Sequence, residues 1–369
     1  MVATSASAES DIRLDLREAR VLSADANSQG LDILAQMLMG FGVQHNTRVQ
    51  SEAEFRHALE STAYDLILID STLEGNGYEL VRKLRISGRE PNRFTPIVVL
   101  SGHTPRSQVE QARDCGCNFV VAKPLSAGVL LDRIIWVGRN TRLFVDAETY
   151  AGPDRRFKND GVPDGQVGRR KGDLSAEVGE ARDPNMSQSQ IDGLLKPKET
   201  DDMTAVIIRR IESRLTRMIG RSQGVKAREA VRAAEDNLVS IMDICADELK
   251  TRLADIAAFG REHRRARPSN AELKRLTGLS ERALTACGAL NQPRIARVLL
   301  TLAAMADALS HTEFWPDGAL TPAIDTLGLI QAGALPDPVA DDLIGELERC
   351  LTRYILHADD MLADKGGIA

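Results

Sequence analysis

No stretch of this 369-residue chain holds the roughly 18 to 20 consecutive apolar residues that a membrane-crossing helix needs. The N-terminus also lacks the basic-then-apolar pattern of a secretory signal. A cytoplasmic protein with no membrane span is therefore expected. The five cysteines, Cys115, Cys117, Cys245, Cys287 and Cys350, are odd in number and scattered, without the paired spacing of a metal site. Free thiols, mostly buried, are the expected state. The six histidines form no metal cluster, and neither His311 nor His357 sits in a phosphotransfer signature. Positive charge is not in excess: a formal net charge of -6 argues against a nucleic-acid binder as a whole.

What the chain does have is enough apolar content for real cores, 43%, and a length that allows two domains and a linker. Over the first 140 residues, short β-branched runs at Arg20 to Ser23, Tyr64 to Ile69, Pro96 to Leu100 and Phe119 to Val121 alternate with stretches of helical period such as Leu31 to Met39 and Tyr78 to Leu84. A weaker strand is expected near Gly42 to Val49. Strands separated by helices imply a doubly wound parallel sheet with right-handed crossovers. In such a sheet the carboxyl ends of the strands converge on one crevice. Four polar residues fall at those ends: Asp25, Asp70, Ser101 and Lys123. Two carboxylates, a hydroxyl and an ammonium meeting there make a constellation suited to accepting a phosphoryl group.

The stretches Ala-Arg-Val-Leu-Ser-Ala-Asp at 19 to 25, Tyr-Asp-Leu-Ile-Leu-Ile-Asp at 64 to 70, Pro-Ile-Val-Val-Leu-Ser-Gly at 96 to 102 and Ala-Lys-Pro at 122 to 124 occur in order and at suitable spacing. Together they resemble the receiver domain of two-component response regulators (CheY-like), over roughly Ala19 to Gly138. The resemblance implies a flavodoxin-like α/β fold with a five-stranded parallel sheet. It makes Asp70 the phosphoacceptor, supplied by a histidine kinase or phosphotransfer protein. It implies Mg²⁺ held by Asp25, Asp70 and the carbonyl of Thr72, Lys123 paired with the phosphoryl charge, and Ser101 hydrogen-bonded to a phosphoryl oxygen.

Three departures from that family pattern stand out. Receivers usually carry two adjacent acids after the first strand, but Asp25 is followed by Ala26, which should weaken the metal site. The loop after Asp70 reads Ser71-Thr72-Leu73-Glu74-Gly75-Asn76-Gly77, without the usual proline. The aromatic position on the fifth strand that commonly relays phosphorylation falls on Val120. The neighbouring Phe119 must point to the opposite face of the sheet.

From Ala151 to Asp173 the chain carries six Lys or Arg against four Asp, a local charge of +2, with glycines and prolines that forbid a long helix. Tyr150-Ala151-Gly152-Pro153-Asp154-Arg155-Arg156 followed by Gly168-Arg169-Arg170 resembles the arginine-rich tail of Cle-type CheY-like regulators. That resemblance implies binding of cyclic di-GMP and action at flagellar or chemotaxis machinery. Arg155, Arg156, Arg169 and Arg170 would then meet guanines or phosphates, with Asp154 and Asp173 on the guanine N–H edge. A solvated interdomain linker explains the same residues, and 174 to 200 read as disordered.

Beyond Asp201 the pattern becomes helical. Val231, Ala234, Leu238, Ile241, Cys245, Leu249, Leu253 and Ile256 predict one helix from about Val225 to Arg264. Ser269-Asn270-Ala271-Glu272 reads as a capping box, and Thr321-Pro322 and Asp337-Pro338 as helix starts. With a segment near Met203 to Ile219, about six helices result. No Ser-His-Asp set, Walker loop, zincin motif or paired-acid cleft occurs in this half. A regulator is expected, not an enzyme, its helical half an adapter or a dimerisation element. The Arg261 to Arg267 cluster is a dipole-matched helix terminus rather than a DNA-binding element. The expected organisation is a disordered 1–18, a receiver at 19–140, an arginine-rich flexible linker at 141–200 and an all-helical output or adapter domain at 201–369.

Overall fold

A computed structural model describes residues 12–102, 111–112, 114–140, 142–147, 150–154, 207–220, 224–264, 266–311, 315–316 and 318–366. After a two-residue strand, β1 (Arg13–Leu14), come β2 (Arg20–Ala24), α1 (Ser28–Gly40), β3 (His45–Val49), α2 (Glu52–Ser61) and β4 (Leu66–Asp70). Next are α3 (Gly77–Ser87), β5 (Ile97–Ser101), β6 (Phe119–Ala122) and α4 (Ala127–Arg139). Strands β2 to β6 form one parallel sheet in the order β3-β2-β4-β5-β6. Each residue of β4 and β5 is buried, as expected of central parallel strands covered on both faces. Side-chain caps begin the helices: Asn27, Ser51, Asn76 and Ser126 each accept from a backbone N–H of the following turn.

The strand alternation divides the core in two. Leu22, Ile67, Ile69 and Val99 face one apolar layer, and Val21, Leu66, Leu68 and Val98 face the other. The second layer does not stop at the sheet. It continues through Ile33, Leu34, Met37 and Leu38 of α1 into the C-terminal half.

That half begins with β7 (Phe144–Ala147), β8 (Tyr150–Pro153), β9 (Ile207–Arg209), α5 (Arg214–Met218) and β10 (Val225–Lys226). It continues with α6 (Ala227–Val239), α7 (Met242–Glu262), α8 (Asn270–Ala289), α9 (Pro293–Ser310), α10 (Thr321–Gln331) and α11 (Asp337–Gly366). Helix α6 lies against α1 at close range. A Cβ at Gly40 would stand 2.3 Å from the Ala234 Cα, and Asn237 donates to the Gln36 carbonyl at 3.2 Å. Ala230, Ala234 and Leu238 share one apolar cluster with α1. None of the described helices is long and apolar enough to cross a membrane.

Four expectations need correction. Residues 12 to 18 are not disordered, because alternation at Ile12, Leu14 and Leu16 buries these side chains once β1 pairs antiparallel with β10. The segment from 141 does not begin as a flexible linker. β7 and β8 form a hairpin to which β9 adds, giving a three-stranded antiparallel sheet in the order β8-β7-β9. Phe144 anchors it, buried and edge-to-face with Phe94 at 4.9 Å, while Asp146 accepts from Arg93. Strand β9 also falls inside the region expected to be all-helical, where the helix near 203 to 219 shrinks to α5. Finally, the single helix from Val225 to Arg264 is two, α6 and α7. The Ser240 hydroxyl returns to the Asn237 carbonyl at 2.7 Å, and Ile241 leaves helical geometry at φ -116°, ψ 4°. The capping box at Ser269 and Glu272 forms as the sequence predicts, and α10 and α11 start at Thr321-Pro322 and Asp337-Pro338, although Leu320 and not Thr321 takes the cap position of α10.

Candidate functional site

Adjacent parallel strands in register carry their ends to one edge: Ala24 lies beside Ile69, Asp70 beside Leu100 and Ser101 beside Ala122. Asp25, Asp70 and Lys123 therefore meet, and all three are buried. The Lys123 ammonium lies 2.6 Å from Asp70 Oδ2 and 3.1 Å from Asp25 Oδ2. The other carboxylate oxygens are held by backbone donors, Asp25 Oδ1 by the Asn27 N–H at 2.8 Å and Asp70 Oδ1 by the Thr72 N–H at 2.8 Å. The Thr72 hydroxyl also donates to Asp70 Oδ1. Ser101 ends β5 at the same edge, where its hydroxyl accepts from Ser71 Oγ at 3.3 Å and its carbonyl from the Lys123 N–H at 2.7 Å. The four residues read from the sequence thus share one crevice edge.

Two carboxylates around one ammonium leave a net negative charge in a nearly dry site. Burial raises the Asp25 carboxyl above the usual carboxylate range; Lys123 pulls it back down, and the like charge of Asp70 adds to the rise. For Lys123, burial alone would favour the neutral amine, but Asp70 and then Asp25 outweigh it and hold the ammonium above the ordinary lysine value.

Oxygen donors and surplus negative charge suit a hard dication. The set is small: two carboxylates and the Thr72 carbonyl, which already accepts from the Gly75 N–H at 2.9 Å and retains a second lone pair. Among the described residues no three His, Cys, Asp or Glu side chains converge as a metal site, and Ala26 is the exposed position where a further acid is missing. The residues fit Mg²⁺ at a minimum, with water or phosphoryl oxygens completing the shell.

Several residues that shape the crevice carried no sequence signal strong enough to single them out. A Cβ at Gly77 would stand 2.1 Å from the Asp70 carbonyl oxygen, and one at Gly30 2.6 Å from Asp25 Oδ2. Both positions need glycine for close approach, and Gly77 explains how the proline-free loop turns back so soon after Asp70. Helix α8 contributes more. A small cavity is lined by Asp25, Gly30, Leu125 and Lys123 together with Thr285 of α8. Gly288 packs on the Leu125 backbone, where a Cβ would lie 2.4 Å from the carbonyl oxygen, and Gly102 faces Glu281. Helix α8 thus packs along the side of the crevice formed by Asp25, Gly102, Lys123 and Leu125.

The fifth-strand substitution behaves as the strand period requires. Val120 packs on one core layer and Phe119 on the other, with the Phe119 ring against Trp136 at 5.3 Å. Of the residues named for cyclic di-GMP, Arg155, Arg156, Arg169, Arg170 and Asp173 lie outside the described residues. Asp154 closes the β7–β8 hairpin: its N–H donates to the Leu143 carbonyl at 2.7 Å and its carbonyl accepts from Arg142 at 3.2 Å.

Residues 21–135 match the profile of the response regulator receiver domain. The sensory/regulatory protein RpfC of Xanthomonas campestris pv. campestris is 28% identical over 157 residues, which is 42% of this chain and 21% of RpfC. The sensor protein EvgS of Escherichia coli O157:H7 is 30% identical over 132 residues, 35% of this chain and 10% of EvgS. The chemotaxis protein CheY of Pseudomonas aeruginosa is 25% identical over 116 residues, 31% of this chain and 92% of CheY. The chain therefore spans about a fifth of RpfC. Among solved structures, the receiver domain of the Pseudomonas aeruginosa sensor histidine kinase PA1611, with magnesium in its active-site cleft, is 28% identical. The match covers 32% of this chain and 98% of that one, with a TM-score of 0.30.

Proposed function

Residues 21–135 are a response regulator receiver domain, and we propose that Asp70 in it accepts a phosphoryl group from a histidine kinase or phosphotransfer protein, with the helical half as the responding module. The observation that carries this reading is the convergence of Asp25, Asp70 and Lys123 in one buried crevice. Activities of the whole sensor proteins stay with those proteins.

Asp70 Oδ2 is the nucleophilic oxygen, since Oδ1 is tied to Thr72. As it attacks phosphorus, the P–N bond of the donor phosphohistidine breaks and the imidazole leaves with the bonding pair. Meanwhile Lys123 follows the charge onto a phosphoryl oxygen, and the Ser101 hydroxyl would turn to donate to another. Mg²⁺, held by Asp25, Asp70 and the Thr72 carbonyl, would offset the repulsion between carboxylate and phosphoryl group. The test is labelling by a small-molecule phosphodonor in the presence of Mg²⁺. The intact protein takes up one phosphoryl group and Asp70→Asn takes up none; an unlabelled wild type overturns the reading.

Ala26→Asp restores an acid at an exposed position, so Mg²⁺ affinity should rise about tenfold or more, near 1.4 kcal/mol. Titration calorimetry measures this without any phosphodonor, and unchanged affinity would place the metal elsewhere.

Helix α8 packs beside the crevice at Gly30, Gly102 and Leu125, and in this reading phosphoryl transfer and the seat of the helical half compete for the same space. Gly288→Val forces a side chain against the Leu125 carbonyl and should lift α8, at an overpacking cost of about 1–3 kcal/mol. The initial labelling rate should increase by about tenfold for each 1.4 kcal/mol taken from the closed state. A rate equal to that of wild type would mean that α8 is no barrier.

A further inference from the structure

On the opposite side of the receiver from α8, the loop before β6 reads Cys115-Gly116-Cys117. Both thiols converge on one acceptor: Cys115 Sγ lies 3.3 Å and Cys117 Sγ 3.5 Å from the Ala112 carbonyl oxygen. Gly116 between them has φ +86°, and a Cβ there would stand 2.2 Å from the Ala151 carbonyl oxygen, so only glycine allows this loop to turn beneath the β7–β8 hairpin. Cys115 is buried and Cys117 is half-buried.

Beside the pair lies a buried cation with no carboxylate partner among the described residues. Arg85, 1% exposed, donates to the carbonyls of Gly116, Arg93 and Thr95 and to Asn118 Oδ1, all neutral acceptors. Burial pulls its guanidinium down to about 10, and the groups that most support its charge are Cys117, then Cys115, then Tyr150. A cation in this position favours one negative charge on the two sulfurs.

We propose that Cys115 and Cys117 are a redox-active dithiol that reduces hydroperoxides and closes to an intramolecular disulfide. One sulfur, as thiolate, attacks a peroxide oxygen; the O–O bond breaks, a sulfenic acid forms and hydroxide leaves to become water. The second thiol gives up its proton and attacks the sulfenic sulfur; the S–O bond breaks and a second water leaves. Two thiols are oxidised by two electrons and one hydrogen peroxide is reduced to two waters. The proton balance favours this, since the side-chain interaction between the two sulfurs, ahead of the effect of Arg85, holds the Cys115 thiol below the usual range and the Cys117 thiol well above it.

The other buried thiols supply controls within the same chain. Cys287 is pushed up to about 12 by burial, and burial also raises Cys245. The full chain is treated with hydrogen peroxide, the remaining thiols are alkylated, and peptides are mapped over time. The proposal expects Cys115 and Cys117 to disappear together into a single intramolecular disulfide, at least about tenfold faster than Cys287 is lost. The pair's rate should also reach half its maximum below the pH of an ordinary free thiol. In Cys117→Ala, Cys115 should instead stop at a sulfenic acid that a dimedone probe captures. Oxidation of the pair no faster than that of Cys287, separate over-oxidation of each sulfur, or only intermolecular disulfides would overturn it. The wild-type comparison decides the matter even if a cysteine variant does not fold.

Discussion

Lys123→Met is expected to cost about 3–5 kcal/mol of folding stability at neutral pH, because removing one partner of a buried ion cluster strands the remaining charges. Here two carboxylates, Asp25 and Asp70, would face each other with no cation between them. The pH dependence gives the effect a signature. In the folded state Asp25 already titrates above its unfolded value, so the folded form binds a proton more readily. Its stability therefore rises as pH falls through the folded value. Without the ammonium that rise grows, and mild acid should restore much of the loss. Lys123 has the opposite profile. Its folded value lies above the unfolded one, so its stabilising contribution is complete below the ordinary lysine value and is lost as pH climbs through the folded one. Urea denaturation of wild type and variant at neutral and mildly acidic pH checks the carboxylate statement, and wild type at alkaline pH checks the lysine one. A variant equally destabilised at neutral and mildly acidic pH would show that the carboxylates are not the source.

The second large effect belongs to Arg85→Met. Methionine fills much of the volume but leaves the carbonyls of Gly116, Arg93 and Thr95 and the amide oxygen of Asn118 without their donor. Each buried acceptor left unmatched costs about 1–3 kcal/mol, while relief of a buried charge returns part of that. A net loss on the order of 2–4 kcal/mol is expected. It should be concentrated where Arg85 joins α3 to the Cys-Gly-Cys loop and the β7–β8 hairpin above it. Hydrogen exchange should then show β7 and β8 losing protection before β4 and β5. Uniform loss across the sheet would mean that Arg85 supports the whole receiver and not this corner.

The crevice was legible because its residues sit at the ends of apolar, β-branched runs, and the strand period together with parallel register carries such ends to one edge. Asp25, Asp70 and Lys123 could be placed there from local pattern alone. The hairpin at Phe144 to Pro153 escaped notice because its basic, glycine- and proline-containing surroundings read as a linker, and its stability comes from Phe94 and Arg93, far away in the chain. The break between α6 and α7 has no proline or glycine to mark it; a serine returning to its own helix makes it. Least legible was the placement of α8. Neither Thr285 nor Gly288 looks unusual in its own helix, and only the packing of two distant segments gives them a place beside the crevice. Gly30 and Gly77 belong to the same class, since a glycine needed for close approach is invisible until the approaching atom is known.

The most direct measurement is to expose the full chain to a small-molecule phosphodonor with Mg²⁺, trap the acyl phosphate by borohydride reduction, and locate the reduced residue by peptide mass spectrometry. The account predicts a single modified position, Asp70, in the peptide that ends β4. Modification at another carboxylate, or none at any time point, would contradict it.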